Sequence, residues 1–235
     1  MLFRSRAGAV LASKGTHCSS EQAVTILQTW EEVLNRIEQV PPTLSGRKII
    51  GIVGKPGSGK STFSAKLQEH LKSIQIVPMD GYHLSNQVLK DRNLAHIKGA
   101  PETFDSIGFA TLLERISTEK NDPIYFPVFH REIEESIAAE GVILKETSVV
   151  VTEGNYLLFA EHGWQRVRNA LSEVWFLDVD DETRLSRLIQ RHIKFGKEPA
   201  VAKSWAEGSD EANARLIAST RGRADAYLDG NQLLG

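Results

Sequence analysis

The chain has 235 residues, 41% of them hydrophobic and 25% charged, with 28 basic side chains against 30 acidic ones and a net charge of −2. This is the profile of one sizeable globular domain, and it excludes general disorder, collagen-like repeats and coiled-coil bias. Near neutrality argues against coating nucleic acid or an anionic membrane through bulk electrostatics, and the single cysteine, Cys18, forms no intrachain disulfide and fits a reducing, cytoplasmic setting.

Residues 1–20 lack acidic side chains and carry Arg4, Arg6 and Lys14 around the apolar run Ala7–Ala12. That run is short for a signal-peptide core, so the segment reads as a lead before the folded part, with an organelle transit segment as the alternative. No apolar stretch approaches the roughly 18 residues of a membrane helix, so no membrane partner is expected. Val24, Leu27, Trp30, Leu34 and Ile37 then recur at spacings of three and four between a cap at Ser19 or Ser20 and a stop at Pro41-Pro42. The spacing predicts an accessory helix within residues 21–42. Its apolar stripe must be covered by the chain's own domain, residues 43–235, or by a second copy, which leaves a homodimer open.

Lys48–Val53 reads as a buried strand leading into a Gly-rich turn and a helix with Phe63, Leu67 and Leu71 on one face. Further strands are expected at Ile74–Val77, Val149–Thr152 and Val174–Val179, separated by helical segments. Apolar strands alternating with helices define an α/β fold with a parallel sheet. Residues Tyr82–Pro101 are polar and turn-rich, and a helix is expected from Asp105 or Ser106, with Phe109, Leu112, Leu113 and Ile116 periodic along it. A later helix, capped by Asp180 or Asp181, carries Arg184, Arg187, Arg191 and Lys194 at spacings that put all four on one face.

Gly54-Lys55-Pro56-Gly57-Ser58-Gly59-Lys60-Ser61 fits the phosphate-loop pattern G-x-x-x-x-G-K-[ST] without a mismatch, and a chance match in this composition is expected roughly 0.01 times. It sits between a buried strand and a helix, where a P-loop NTPase fold needs it. The chemistry explains the residue types. Glycines let the loop curl against phosphate oxygens, the helix N-terminus offers N–H groups and its dipole, Lys60 reaches the β and γ phosphates of ATP, and the Ser61 hydroxyl ligates Mg²⁺. Thr62 continues the cradle. A guanine-specific element is not found: Glu119-Lys120-Asn121-Asp122 has Glu where Asn or Thr belongs, and Asp105-Ser106-Ile107-Gly108 reads as a helix cap.

Small-molecule phosphoryl transfer needs a carboxylate for the acceptor hydroxyl at a strand's carboxyl end. Asp80 follows the Ile74–Val77 strand, and Glu153 follows Val149–Thr152, where it can serve Mg²⁺. Met79-Asp80-Gly81-Tyr82-His83 and Lys98-Gly99-Ala100-Pro101-Glu102-Thr103-Phe104-Asp105 resemble signatures of bacterial pantothenate kinase. With the phosphate loop and Thr152-Glu153-Gly154-Asn155-Tyr156-Leu157-Leu158, the chain resembles the phosphoribulokinase, uridine kinase and pantothenate kinase family over roughly Lys48–Tyr227. The tail around Trp205 and Ser209–Leu216 resembles a bacterial subgroup of unassigned members, labelled nucleoside kinase-like or fructose-transport-kinase-like.

The resemblance implies that Asp80 is the catalytic aspartate, that Lys60 and Ser61 serve phosphate and magnesium, and that Glu153 is the acidic residue of the E-G strand end. It also implies that the basic helix is a lid, with Arg187 and Arg191 closing over the phosphates. The chain departs from the family at Pro127-Val128-Phe129-His130-Arg131-Glu132, where pantothenate kinase has P-x-Y-x-H. His83, Tyr125, His130 and Arg131 are the expected acceptor contacts, because they flank Asp80 or follow the segment that should pass the sheet's carboxyl edge. The expected function is an ATP-dependent kinase for a hydroxyl of a pantothenate-like, nucleoside or sugar acceptor. The alternatives are a uridine or nucleoside kinase and, in another class, a nucleotide-binding regulatory protein with little catalysis.

Overall fold

The computed structural model describes residues 24–235; the lead at residues 1–20, Cys18 and the proposed caps Ser19 and Ser20 lie outside them. In chain order the elements are β1 (Thr25–Leu27), α1 (Trp30–Gln39), β2 (Lys48–Val53), α2 (Lys60–His70), β3 (Ile74–Pro78), α3 (Asn86–Asp91), α4 (Ser106–Thr118), β4 (Ile124–His130), β5 (Glu135–Ile143), β6 (Val149–Gly154), α5 (Trp164–Asn169), β7 (Glu173–Asp178), α6 (Asp181–Lys194), α7 (Pro199–Glu207), α8 (Ser209–Ala218), β8 (Ala226–Asp229) and α9 (Gly230–Leu234).

Six strands form one sheet in the order β1-β8-β7-β2-β6-β3, and every pair in it is parallel. The four predicted strands are all present in it. They are the continuous Val- and Ile-rich runs that a sheet covered on both faces requires. Along β2, Ile49 and Val53 enter the core on one face with Phe109, Leu113, Trp164 and Phe176, while Ile50 and Ile52 enter the other with Phe63, Leu67, Trp175 and Val33. Strand β2 lies between β6 and β7, and the chain leaves it toward β3 on one side and reaches β7 on the other. That makes its carboxyl end the point where strand order reverses, the place where such sheets bind ligands.

The accessory helix is corrected in two respects. Residues Thr25–Leu27 are a strand, paired with Ala226–Leu228 at the sheet edge, and the helix starts only at Trp30. Thr29 caps it with a reciprocal box in which Glu32 accepts from the Thr29 N–H and Thr29 Oγ1 accepts from the Glu32 N–H. The stripe packs on its own domain: Trp30 stacks on Phe63 at 5.1 Å and on His70 at 4.9 Å. Outside the sheet, β4 and β5 form an antiparallel hairpin with an irregularity between Phe126 and Val128, an element the sequence reading did not contain. Helices α4 and α6 start behind Asp105 and Asp180, whose side chains accept from Gly108 N and Thr183 N.

One buried cation fixes the outer end of β2. Arg47 is fully buried and has no carboxylate partner among the described residues; its guanidinium donates to the carbonyls of Thr147, Ile116, Leu144 and Glu119.

Candidate active site

The loop from Gly54 to Gly59 joins β2 to α2, and Gly57 and Gly59 adopt φ of +84° and +92°, a region that favours glycine. A β-carbon on Gly57 would lie 2.4 Å from the Arg184 carbonyl oxygen, so the loop can pack against α6 only without one. Pro56, Gly57, Gly59, Lys60, Ser61 and Thr62 face a cleft of about 1110 Å³ that also reaches Asp80, Glu153, Arg131, Arg187 and Arg191. Lys60 opens α2 and is buried, and its Nζ donates to Gly54 O at 2.8 Å and Lys55 O at 3.4 Å. Burial pushes its ammonium down to about 8, Arg191 and Arg131 add to this, and Glu153 and Asp80 oppose it.

The Ser61 hydroxyl donates to Glu153 Oε1 at 2.7 Å. Burial, with repulsion from Asp80, raises the Glu153 carboxyl above its ordinary value. A hydroxyl and a carboxylate side by side at the end of β6 are hard oxygen donors, and they fit a Mg²⁺ ion that keeps most of its waters and shares substrate phosphates.

Asp80 stands in the turn that follows β3. The Arg131 guanidinium, carried past the end of β4, donates to its Oδ2 at 2.8 Å. His83 lies just beyond, with its ring 4.0 Å from Phe104 and 4.7 Å from Phe129. Its Nδ1 is 2.9 Å from the Asp80 carbonyl. Burial lowers its pKa, so the ring is neutral at pH 7, donates through Nδ1 to that carbonyl and keeps Nε2 as an acceptor.

The structure brings together Asp80, Lys60, Ser61, Thr62, Glu153, Arg187, Arg191, His83 and Arg131. It does not bring in Tyr125 or His130. The Tyr125 side chain points outward opposite Val142, 58% exposed. His130 is held outside the cleft between Glu132 at 2.8 Å and Glu140 at 2.7 Å. Alternation along β4 is the reason: Phe129 and Arg131 turn in, so His130 turns out. Lys55 also leaves the cleft, with its Nζ on Asp181.

The four cations of α6 are not equivalent. Arg187 and Arg191 face the cleft. Arg184 is buried beneath the loop, paired with Asp181 at 2.6 Å and with Glu211, and its Nη1 has no partner among the described residues; Lys194 is exposed. Residues missed by sequence reasoning include Asn86 and Lys98 from the turn-rich segment, Asn155 after β6, and His192, Asp210 and Asn213 from α6 and α8. Lys98 and Asn155 lie inside the family strings, but neither has a local pattern that marks it.

The AAA domain family matches residues 50–203, and a solved structure from Silicibacter sp. TM1040, carried under the provisional name fructose transport system kinase, is 37% identical over 83% of this chain and 94% of its own, with a TM-score of 0.74. The chain belongs to this family of P-loop kinases. It is similar to the ATP-dependent kinase YFH7 of Zygosaccharomyces rouxii, at 30% identity over 72% of this chain, and spans 54% of that relative's length. It is also 28% identical to a Schizosaccharomyces pombe protein with the provisional name uridine kinase C227.14, over 72% of this chain and 76% of the relative. By family the chain thus carries a P-loop kinase domain, and it spans about half the length of the YFH7 relative it matches. Among the described residues no helix is long and apolar enough to cross a membrane.

Proposed function

We propose that this chain transfers the γ-phosphoryl group of ATP to a hydroxyl of a small metabolite, with Asp80 as the base. The observation that carries the reading is the position of Asp80, in one cleft with Lys60, Ser61 and Glu153 and with its carboxylate held by Arg131. A protein that only bound nucleotide would need the loop and not this second carboxylate.

The acceptor hydroxyl gives its proton to Asp80 as its oxygen bonds to the γ-phosphorus, and the bond from that phosphorus to the β–γ bridging oxygen breaks to release ADP. Lys60, Arg187 and Arg191 neutralise the oxygens of the moving group, and the loop N–H groups hold the β-phosphate. Ser61 and Glu153 would hold Mg²⁺, which when bound screens phosphate charge. Aspartate in this role makes a sharp test. Asp80→Asn should lower kcat by about a thousandfold and leave the affinity for ATP within about threefold. Undiminished turnover in that variant would remove Asp80 as the base.

A nucleoside acceptor is the second reading, supported by the likeness to the provisionally named uridine kinase and by the aromatic rings of Phe104 and Phe129 beside Asp80.

A further inference from the structure

The cations of α6 divide into two kinds. Arg187 and Arg191 line the cleft and have no carboxylate partner among the described residues, which leaves them free for phosphate oxygens. Arg184, one turn nearer the start of the helix, is 1% exposed and already committed within the protein. Its Nε donates to Asp181 Oδ1 at 2.6 Å, and its Nη2 donates to Glu211 Oε2 in the first turn of α8. A buried guanidinium is stable only with such partners, and its planar fork serves two of them in fixed directions.

The same turn of α6 is the floor of the phosphate loop. A β-carbon on Gly57 would lie 2.4 Å from the Arg184 carbonyl oxygen and 3.1 Å from the Leu188 Cβ, so the loop rests directly on this turn. A second tie comes from Asp181, which also accepts from Lys55 Nζ. The Lys55 carbonyl in turn accepts from the Ser58 N–H at 3.0 Å and from Lys60 Nζ at 3.4 Å. An alternating chain of charge thus runs from Glu211 through Arg184 and Asp181 to Lys55 in the loop. Asp181 is 63% exposed and its pairs are weakened by water, whereas Glu211 is 25% exposed, so the Arg184–Glu211 pair is the firmer link.

From these contacts, and resting on the reading that the loop binds the phosphates of ATP, we infer that Arg184 is a positioning residue for the phosphate loop and that Glu211 of α8 holds it in place. Arg184 touches no phosphate in this role. It sets the surface on which Gly57 lies, and through it the directions of the loop N–H groups. Those groups bind phosphate only when they converge, so a displaced floor costs affinity without removing any ligand group. Electrostatics alone gives the opposite sign. Glu211 is a negative charge close to the loop, and its removal would strengthen triphosphate binding if charge were all that mattered.

The test titrates the full chain with Mg-ATP, with Mg-pyrophosphate and with adenosine, which has the base and ribose but no phosphate. Glu211→Ala should weaken ATP and pyrophosphate about tenfold and leave adenosine within about twofold. Glu211→Gln, which keeps an acceptor oxygen for the guanidinium, should recover part of the loss. Arg184→Lys keeps the charge and loses the fork, so it should weaken the same two ligands about tenfold. Melting temperatures are followed in all three variants. A general loss of stability would lower them and leave the ratio of ATP to adenosine affinity unchanged, and that outcome would overturn the inference. Unchanged or tighter ATP binding by Glu211→Ala would overturn it as well, with the kinase reading left standing. Wild-type protein that binds neither ATP nor pyrophosphate would take down the inference and the kinase reading together.

Discussion

Arg131 Nη2 meets Asp80 Oδ2 at 2.8 Å across 51 residues of sequence, and this contact ties the β4–β5 hairpin to the end of β3. Among the described residues no protein donor is hydrogen-bonded to Asp80 Oδ1, so the guanidinium engages one oxygen of the carboxylate and leaves the other without a protein partner. The hairpin is therefore part of the site although it is not part of the sheet.

Arg131→Ala should reduce kcat about 10- to 100-fold, the loss expected when a base keeps its chemistry but not its orientation. Arg131→Lys should recover part of it, because the charge remains while the planar fork is gone. Steady-state kinetics checks both, and full activity in the alanine variant would remove Arg131 from any role in holding Asp80.

Lys60 gives a pH dependence with a definite sign. Its folded pKa lies near 8 and its ordinary value at 10.5, so above pH 8 the free protein loses the proton that a bound triphosphate would hold in place. ATP affinity should be level up to about pH 7.5 and fall by up to tenfold per unit above about pH 8, with uptake of one proton on binding. Calorimetry in two buffers of different ionisation enthalpy reads that proton. The unfolded chain binds this proton more tightly than the folded one, so this group's contribution to ligand-free stability rises between pH 8 and 10.5. Affinity that stays flat through pH 9 would contradict the assignment.

Gly57→Ala places a methyl group 2.4 Å from the Arg184 carbonyl at a backbone φ of +84°. The loop must move, and ATP affinity should fall by about a hundredfold or more while the fold survives. Nucleotide titration with circular dichroism separates the two effects.

Arg47→Met removes the donor that serves four carbonyl groups in a buried site. Unfolding free energy should drop by about 2–4 kcal/mol, since the carbonyls lose their partners and no water replaces them. Urea denaturation measures it, and a midpoint shift within error would show that the carbonyls find other partners.

The central strands were legible because a strand covered on both faces must be apolar throughout, and Lys48–Val53 and Val149–Thr152 are. Strand β1 was hidden by coincidence. Its three residues put Leu27 at a helical distance from Trp30 and Leu34, although Thr29 and Glu32 already spelled the capping box. The four residues of β8 and the exposed middle of β5 have no apolar run to announce them. At the site, the meeting of Lys60, Ser61, Asp80 and Glu153 in one cleft was readable because each sits at a strand or loop end marked by its sequence neighbours. The outward placement of Tyr125 and His130 was not readable, because the choice between inward and outward on β4 depends on pairing and on the irregularity at Phe126 and Val128, and Asn213 becomes a wall residue only when α8 folds back.

The edge pairing of Thr25–Leu27 with Ala226–Leu228 sets the first and last strands of the described chain side by side. In strand neighbours the polypeptide is then a closed loop. A linker across that edge, with new ends cut at the exposed β4–β5 turn, would preserve every pairing in the sheet. Such a rearranged chain would separate what the order of the sequence contributes from what the assembled sheet does.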